Sequence, residues 1–568
     1  MTGTRIPRSV HDHVLQGRQA QVSVIEESPK RFRHVRAVLG WVITALSLAL
    51  VVFCLNLPIH YEAITTDAFL RIPIEGLLGF AILLALPRRT RQILAVVAGA
   101  FLGFLTLLKI LDIGFYYFLD RPSDPWNDLS LLDDAYAFLR DSIGSAGAWV
   151  ALVAAVLLVV GLFVLTGLAA LRLTRVMVRY DRTSRSGLAA VGVAWIMFLA
   201  FSVQIAPDLP VSAFAHNRYL QFAGDLKDEK RFAALAADDA FRDTPGDQLL
   251  TGLRGKDVIF TFIESYGRSA IENPEFDGPV NAELADGTRR LTAAGFGARS
   301  AFLTSPTFGG GSWLAHSTFL SGLWINTQQR YNTLVASDRL TLTQTFGKAG
   351  WRKVGFEPGN SMPWPEASFY GYDKVYDERN IGYHGPHFSW SNMPDQFALQ
   401  QFAKFEYAVP NRGPLLGEVT LTSSHTPWAP LPKYLDWNQL GDGSVYGGPT
   451  GSNGTTPERV WKESAQVRQA YAQSIQYSLQ SLISFVEKYG NKNLVLVFLG
   501  DHQPAPIVTG PNASHDVPVT IVSGDPAVLD KAASWGWQDG LKPDAQAPVW
   551  KMDSFRDRFL TTFGSPRH

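Results

Sequence analysis

Five long apolar runs lie in the first 206 residues of this 568-residue chain. Each is close to the about 20 residues that an α-helix needs to cross the hydrocarbon core of a bilayer. They are too many and too long for a cleaved signal peptide. The sequence therefore predicts an α-helical membrane domain of five transmembrane helices over residues 37–206, after an N-terminal tail of residues 1–36. The predicted spans are 37–57, 69–87, 93–118, 147–171 and 187–206.

The charges between these runs predict how the chain is oriented. The tail carries seven Lys or Arg against three acids, and the loops 88–92 and 172–186 hold three and five Arg. Loop 58–68 has no Lys or Arg, and loop 119–146 has six Asp and two Arg. By the positive-inside rule the tail is cytoplasmic and the chain after Pro207 is exported. We therefore expect a multi-pass protein of the inner (cytoplasmic) membrane with a periplasmic or extracellular C-terminal domain.

Four charged residues fall within the predicted spans, namely Arg71, Glu75, Lys109 and Asp112. In the predicted topology all four lie toward the outer leaflet. Charges inside a membrane are costly and often mark functional pathways. Two interpretations stay open. The charges either form internal ion pairs or reach the interface, or they bind a lipid head group.

Net charge and cysteine content exclude some classes of function. The chain has 51 Lys and Arg and 51 Asp and Glu, a formal net charge of zero. A nucleic-acid-binding protein normally shows a basic face or tail, so we expect no nucleic-acid partner. The single cysteine, Cys54, lies in an apolar run. The chain therefore has no disulfide framework and no thiolate metal site.

The C-terminal half has the alternating pattern of an α/β domain. An Ala- and Asp-rich linker at 207–254 leads to Gly255, after which apolar strand-like segments alternate with helical ones, including a long helix over 461–488. This order predicts a mostly parallel central sheet with helices on both faces over residues 255–568. The strand candidates are DVIFTFI (257–263), WRKVGF (351–356), GEVTLT (417–422), LVLVFL (494–499) and VPVTIV (517–522).

Polar side chains follow two of these strands directly. Asp501 and His502 come after LVLVFLG, and Glu264 comes after DVIFTFI. The carboxyl ends of parallel strands meet at one edge of a sheet, where open α/β folds bind their ligands. A carboxylate at such a position costs desolvation unless it is paired or bound to a metal. Carboxylate oxygens and a neutral imidazole are suitable ligands for a divalent ion.

Two further histidines lie near the same predicted edge. His425 follows GEVTLT within the motif SSHTPW, and His515 precedes VPVTIV. Taken one at a time, each histidine is as well explained by a structural or surface role. Together with the strand-end carboxylates they become candidates for binding an anionic group or protonating a leaving group.

Three glycines precede Ser312 in the segment TSPTFGGGSWLAHSTFLSGLW. The residues after Ser312 have helical spacing up to Gly322, which predicts that Ser312 begins a helix. A hydroxyl at a helix N-terminus lies in a positive field that favours an alkoxide or a bound phosphate. The alternative is that Ser312 only caps the helix. Thr307 and Ser317 are weaker candidates for a nucleophile.

Considered together, these residues supply what a metal-activated nucleophile requires. A divalent ion lowers the pKa of a bound hydroxyl, and a serine so activated can attack phosphorus or sulfur. The constellation therefore predicts displacement at a phosphate or sulfate ester.

The same residues resemble the alkaline phosphatase and sulfatase superfamily over about residues 255–525. Within it they are most similar to membrane-anchored phosphotransferases: lipoteichoic acid synthase, phosphoglycerol transferases and phosphoethanolamine transferases. The resemblance implies a sulfatase-like fold, Ser312 as nucleophile, and one manganese or zinc ion held by Glu264, Ser312, Asp501 and His502. It also implies that His425 contacts the transferred group and that His515 lies near the metal.

This chain departs from the pattern of those families in three ways. The nucleophile is usually threonine, whereas here it is serine. In the segment 359–377, Trp364 is retained but Glu366 stands where lipoteichoic acid synthase has an arginine for the glycerol phosphate. Losing a bidentate phosphate ligand and gaining a negative charge argues against an unchanged glycerol-phosphate site and suits a cationic head group such as ethanolamine. Cysteines that cross-link many phosphoethanolamine transferases are absent.

These observations predict a transferase. It would take a phospho-headgroup of the phosphoglycerol or phosphoethanolamine type from a membrane lipid, through a covalent Ser312 intermediate, to a cell-envelope glycan or lipid. The first alternative is a phosphoester or sulfoester hydrolase that uses the same site. The absence of the cysteine from which sulfatases form their nucleophile disfavours sulfoester cleavage. The second alternative is a non-catalytic envelope module, since fold alone does not fix function.

Overall fold

The computed structural model describes residues 29–201, 210–388, 391–448 and 451–566. Most of the predicted N-terminal tail lies outside the described residues. The chain divides into two compact units. The first consists of Met1–Leu55, Ile72–Gly103 and Val160–Val203, and the second of Asn56–Arg71, Phe104–Val159 and Gln204–His568.

The N-terminal part is helical, as the apolar runs predict. Four segments of the described chain are long and apolar enough to cross a membrane: His34–Asn56, Thr66–Ala85, Arg88–Leu119 and Gly144–Arg179. The fifth predicted span coincides in part with a helix, Asp181–Ala200, but its end lies outside the described residues. The fifth span and the orientation stay predictions. The helices are α1 Pro29–Asn56, α2 Thr66–Leu70, α3 Ile74–Ala85, α4 Arg88–Leu119, α5 Leu131–Arg179, α6 Asp181–Ala200 and α7 Val211–Ala237.

Two of these helical segments are interrupted. The predicted span 69–87 is broken between α2 and α3, where Pro73 precedes the first residue of α3. Proline has no amide hydrogen to donate and cannot continue a helix. Within α5, Gly144 has φ 74°, a left-handed conformation that divides the element into two helices.

The charged residues on α4 form contacts with α7, within the second unit. Asp112 is 1% exposed, forms an ion pair with Arg218, and accepts hydrogen bonds from the amide and hydroxyl of Ser123 at 2.9 and 2.7 Å. The Lys109 ammonium lies 5.8 Å from the centre of the Phe214 ring. For Asp112 the internal ion pair is therefore the interpretation that the structure favours over a lipid site.

The second unit contains a nine-stranded sheet in the order β4-β3-β5-β1-β6-β7-β2-β8, with β9 paired to β2. Neighbouring strands from β4 to β6 are parallel, whereas β7 is antiparallel to both β6 and β2. The sheet is thus mostly parallel, as predicted. The strands are β1 Asp257–Ile263, β2 Gly297–Thr304, β3 Arg352–Glu357, β4 Lys374–Asp377, β5 Leu415–Leu421, β6 Leu494–Gly500, β7 Asp516–Ser523, β8 Gln538–Asp539 and β9 Val549–Lys551.

Helices cover both faces of this sheet, because both faces of its strands are apolar. In strand β1, side chains on opposite faces belong to two different apolar clusters. Ile259 and Ile263 belong to one cluster and Phe260 and Phe262 to the other. The helices are α8 Ser269–Glu272, α9 Gly278–Ala293, α10 Ser312–Ser321, α11 Gln328–Val335, α12 Leu342–Lys348, α13 Ala367–Tyr370, α14 Glu378–Ile381, α15 Asp395–Phe402, α16 Pro457–Val460, α17 Ser464–Tyr489, α18 Pro506–Thr509, α19 Pro526–Ala532 and α20 Phe555–Phe563.

The core around β1 gives a test of this architecture. Phe260 is fully buried, and its ring lies 5.4 to 6.0 Å from those of Phe319, Phe346 and Phe559. We expect Phe260→Ala to lower the free energy of unfolding by about 3–5 kcal/mol, because a cavity replaces these contacts. Urea unfolding of the full chain in detergent, followed by tryptophan fluorescence, measures the change. The matched control is Val409→Ala, since Val409 is 39% exposed and should change stability by less than about 0.5 kcal/mol.

Candidate active site

Strand register brings the predicted carboxylates together. Ile263 at the end of β1 pairs with Gly500 at the end of β6, so the residues that follow, Glu264 and Asp501, emerge side by side. Glu264 is 6% exposed, and Asp501 and His502 are fully buried. One ligand atom from each of the three side chains lies within 4.8 Å of the other two. The sequence-predicted group Glu264, Asp501 and His502 therefore forms one cluster at the edge of the sheet.

The hydrogen bonds of this cluster leave its ligand atoms available. Asp501 Oδ1 accepts from the backbone amides of Ser265 and His502 at 2.8 and 2.7 Å. The buried Oδ2 of Asp501 has no hydrogen-bond partner among the described residues. His502 Nδ1 lies 2.8 Å from the carbonyl oxygen of Gln503, which holds the ring with Nε2 toward Glu264 and Asp501. Two carboxylates and one imidazole nitrogen fit a divalent ion such as zinc or manganese.

The electrostatics of the cluster fit a bound cation. Burial raises the pKa of Glu264, but the nearby His502 and His425, together with hydrogen bonds from neighbouring side chains, outweigh burial and lower that pKa to about 2. Burial and the nearby Glu264 carboxylate raise the pKa of Asp501 to about 7. Two adjacent buried carboxylates cannot both ionise cheaply without an opposing charge. A divalent ion would allow both to be charged.

Ser312 adjoins this cluster as the first residue of α10. Its hydroxyl donates to Glu264 Oε2 at 3.0 Å and lies 3.2 Å from His502 Nε2. The helix is capped by Gly311, which has φ 80°, and not by the Ser312 side chain. The alternative that Ser312 serves only as a cap is therefore wrong in this structure. Its oxygen instead lies within hydrogen-bonding distance of two members of the cluster, Glu264 and His502.

The other two hydroxyl candidates are less suited to nucleophilic attack. Ser317 is fully buried, and its hydroxyl bonds to the Trp313 carbonyl oxygen and, at 2.7 Å, to the Tyr370 hydroxyl. Thr307 is 9% exposed, and its hydroxyl oxygen lies 3.5 Å from that of Ser305. Within the described structure neither hydroxyl forms a hydrogen bond with the side chain of Glu264, Asp501 or His502.

The glycines before Ser312 allow a close approach by the end of α4. Gly309 has φ 69°, and a Cβ atom at that position would overlap the carbonyl oxygen of Phe118. A Cβ atom on Gly310 would lie 2.9 Å from a methyl group of Leu119. The loop is also bonded to the ligand segment, since the Gly309 amide donates to the Gln503 carbonyl oxygen at 2.9 Å. The triglycine thus fits between the α4 terminus and the residues after β6.

A cavity of about 580 Å³ opens beside Ser312. The predicted substrate-binding residues His425, Trp364 and Glu366 line it together with Glu264 and Ser312. His425 Nδ1 lies 2.8 Å from the carbonyl oxygen of Thr426. The structure therefore places three of the four predicted substrate-binding residues on the cavity that contains the serine.

His515 lines a neighbouring cavity of about 180 Å³ with Gly311, Trp313 and Asp120. It directly precedes β7, and because β7 is antiparallel to β6, this end of β7 lies at the same sheet edge as Asp501. Its ring lies 5.1 Å from that of Phe308. The structure thus brings His515 near the serine loop but does not place it on the larger cavity.

Three cavity residues were not identified from the sequence: His316, Glu357 and Glu418. His316 lies four residues after Ser312 in α10, and the ligand atoms of the three residues lie within 4.8 Å of one another. Glu357 ends β3, which is the same strand-end signal that identified Glu264. Glu418 lies inside β5 and not at its end. A glutamate within an apolar strand carries no sequence signal that identifies it as part of a site.

Comparisons with known proteins gave structural matches only. No protein-family model matches the chain, and no curated protein matches its sequence significantly. The chain is similar in structure to lipoteichoic acid synthase LtaP from Listeria monocytogenes, with 14% identity, a TM-score of 0.37, and coverage of 60% of this chain and 78% of that one.

Two further matches have similar values. The zinc complex of the C-terminal periplasmic domain of EcEptC from Escherichia coli has 13% identity, a TM-score of 0.36, and coverage of 55% and 83%. Streptococcus pyogenes phosphoglycerol transferase GacH in complex with sn-glycerol-1-phosphate has 12% identity, a TM-score of 0.34, and coverage of 60% and 91%.

Metal binding should depend on Asp501 and on pH. We expect the full-length protein to bind one Mn²⁺ or Zn²⁺ ion and Asp501→Asn to bind it at least about tenfold more weakly. The pKa of Asp501 is raised to about 7, so binding displaces its proton below that pH. Affinity should therefore fall at least about tenfold between pH 8 and pH 6. Isothermal titration in detergent measures both changes.

The matched control for this experiment is Asp539→Asn, since the Asp539 side chain is 86% exposed. This variant should keep the affinity and the pH dependence of the unmodified protein. Equal affinities at pH 6 and pH 8 in the unmodified protein would contradict the assignment of Asp501 as a ligand.

The packing of Gly309 against Phe118 can also be tested. We expect Gly309→Ala to loosen the segment 305–313, because alanine both overlaps the Phe118 carbonyl and costs about 1–2 kcal/mol at positive φ. Hydrogen–deuterium exchange in that segment should accelerate. Gly382→Ala is the control, since Gly382 has φ 80° with open space around it. Equal effects of the two variants on segment 305–313 would show that the contact with Phe118 is unimportant.

Proposed function

We propose that this protein is a membrane-anchored, metal-dependent transferase of the alkaline phosphatase superfamily. It transfers a phospho-headgroup of the phosphoglycerol or phosphoethanolamine type from a membrane lipid to a cell-envelope glycan or lipid. The observation that carries this proposal is the position of the Ser312 hydroxyl, which contacts both Glu264 and His502 at a helix N-terminus. A serine that only capped the helix would not make these contacts.

The proposed chemistry is displacement at phosphorus in two steps. The Ser312 oxygen attacks the lipid phosphorus and forms a phosphoserine diester, while the bond from phosphorus to the diacylglycerol oxygen breaks. The positive field of the α10 N-terminus stabilises the charge on the phosphoryl oxygens. A manganese or zinc ion held by Glu264, Asp501, His502 and Ser312 would supply Lewis acidity.

Proton transfer falls to residues beside the serine. The Ser312 hydroxyl donates a hydrogen bond to Glu264, which is the group proposed to accept the serine proton as the oxygen attacks. His425 lines the same cavity and is the group proposed to protonate the departing diacylglycerol oxygen. In the second step a hydroxyl of the acceptor attacks phosphorus and gives its proton to the same histidine. The bond from phosphorus to the Ser312 oxygen breaks, and this oxygen takes its proton back from Glu264.

The membrane helices support a lipid donor. Four described segments can cross a bilayer, and the predicted fifth span would place the N-terminus in the cytoplasm and residues 255–568 in the periplasm or outside the cell. A lipid donor confines its enzyme to the bilayer surface, whereas a soluble ester does not. Hydrolysis at the same serine differs only in the acceptor, which would then be water.

Mass spectrometry of the intact protein and its peptides tests the proposal. We expect the full-length protein, loaded with manganese or zinc in phospholipid vesicles, to carry a headgroup-phosphate adduct on Ser312. Ser312→Ala should lack the adduct and transfer the head group at least about a thousandfold more slowly, because the covalent route is lost. Ser317→Ala is the control, since the Ser317 hydroxyl is buried away from the cluster, and it should keep the adduct.

The fate of the adduct distinguishes the alternatives. Release only in the presence of an envelope glycan or lipid supports a transferase, and equal release into water supports the hydrolase. Absence of any adduct, with unchanged turnover of phosphate esters by Ser312→Ala, would reject Ser312 as the nucleophile. Absence of both metal and turnover in the unmodified protein would favour the non-catalytic module.

A further inference from the structure

The cavity beside Ser312 has an acidic end, formed by carboxyl groups other than that of Glu264. Glu357, Glu366 and Glu418 line it, and no Lys or Arg is present among the described residues of its wall. Glu418 is 1% exposed and accepts a hydrogen bond from the Tyr372 hydroxyl. The cavity thus presents carboxyl groups without a cationic partner from the protein.

This acidic end lies close to the nucleophile. His316 follows Ser312 by one helical turn, which corresponds to about 6 Å along the helix axis. Its ligand nitrogen lies within 4.8 Å of carboxylate oxygens of Glu357 and Glu418. A phosphate at Ser312 would therefore have these carboxyl groups within reach of a short substituent.

The wall supplies few hydrogen-bond donors to its buried polar atoms. Glu357 Oε1 and His316 Nε2 have no partner within the described structure, and the Thr420 hydroxyl, which also lines the cavity, lies beside the Glu357 carboxyl group. An ionised Glu357 can accept more hydrogen bonds than this one hydroxyl donates. A buried carboxylate with too few donors is costly, so this part of the cavity fits a ligand that brings N–H groups.

We propose that Glu357 and Glu418 bind the ammonium group in the head group of the donor lipid. The transferred unit is then 2-aminoethyl phosphate and not glycerol phosphate. This inference rests on the proposed function. A primary ammonium carries three N–H donors and a positive charge. A glycerol group brings hydroxyl donors but no charge, and a quaternary ammonium brings charge but no N–H donor.

The charge state of the two glutamates agrees with this assignment. Burial and the neighbouring Glu418 raise the pKa of Glu357 to about 8. Burial likewise raises the pKa of Glu418 to about 7. An ammonium ion placed between the two side chains would restore both to the ionised form, because an opposite charge favours a carboxylate. The neighbouring ring of His316 stacks on Phe262 with centres 3.8 Å apart, which fixes its orientation beside them.

The test compares donor lipids with the full-length protein in vesicles. Manganese-loaded protein is mixed with vesicles of phosphatidylethanolamine, phosphatidylglycerol or phosphatidylcholine, and the mass and rate of the Ser312 adduct are recorded. We expect the aminoethyl phosphate adduct from phosphatidylethanolamine to form at least about tenfold faster than the adducts from phosphatidylglycerol and phosphatidylcholine. Glu357→Gln and Glu418→Gln should reduce this preference about tenfold or more while leaving the metal content unchanged. Glu463→Gln, which alters an exposed residue, should keep it.

Each outcome decides the inference. Equal adduct formation from phosphatidylglycerol, unaffected by the glutamine variants, would overturn it and leave the proposed function standing. Equal use of phosphatidylcholine would overturn the requirement for N–H donors. Loss of a second bound divalent ion from the glutamine variants would make the cluster a metal site instead. No adduct from any lipid would reject the proposed function, and the inference with it.

Discussion

The carboxyl groups of Glu264 and Asp501 lie together in the interior, and the rest of the site depends on how their charge is compensated. Parallel pairing of β1 with β6 forces this proximity, because Ile263 lies opposite Gly500 and the next residues of both strands meet. Two backbone amides satisfy one oxygen of Asp501 and leave the other without a partner in the described structure. Buried charge of this kind is unstable unless a cation compensates it, and the ligand set around it suits a divalent ion.

The position of the serine depends on the same residues. The loop that leads to α10 is bonded to the segment after β6, since the Ser305 hydroxyl donates to the Asp501 carbonyl oxygen at 2.5 Å and the Gly309 amide to Gln503. On its other side the loop contacts the end of α4 at Phe118. A change in the ligand segment or in the α4 terminus would therefore move the serine. This arrangement connects the proposed nucleophile to the end of α4, a helix that is long and apolar enough to cross a membrane.

The cavity combines two ends of opposite chemistry. At one end, the helix N-terminus at Ser312 and the ligand cluster favour an anionic phosphate. At the other end, Glu357 and Glu418 favour a cation. A zwitterionic head group matches both ends at once, whereas a polyol phosphate matches only the first. Glu366, which in the resemblance to lipoteichoic acid synthase takes about the place of an arginine, lines the same cavity and agrees with this polarity.

The sequence alone determined the strands β1 and β6, which lead to the candidate site residues. An apolar run that ends in a charged residue is stable as a buried strand whose end reaches the edge of the sheet. The sequence predicted β1 at its observed bounds and the positions of Glu264, Asp501 and His502 at strand ends. It missed the strands β2, β4, β8 and β9 and the antiparallel direction of β7, since strand pairing and direction depend on contacts between distant segments. It also missed Glu418, whose role arises from packing and not from a motif. Only the tertiary structure decided that Ser312 contacts the ligand cluster and that buried glutamates share its cavity, because those distances join residues far apart in the chain.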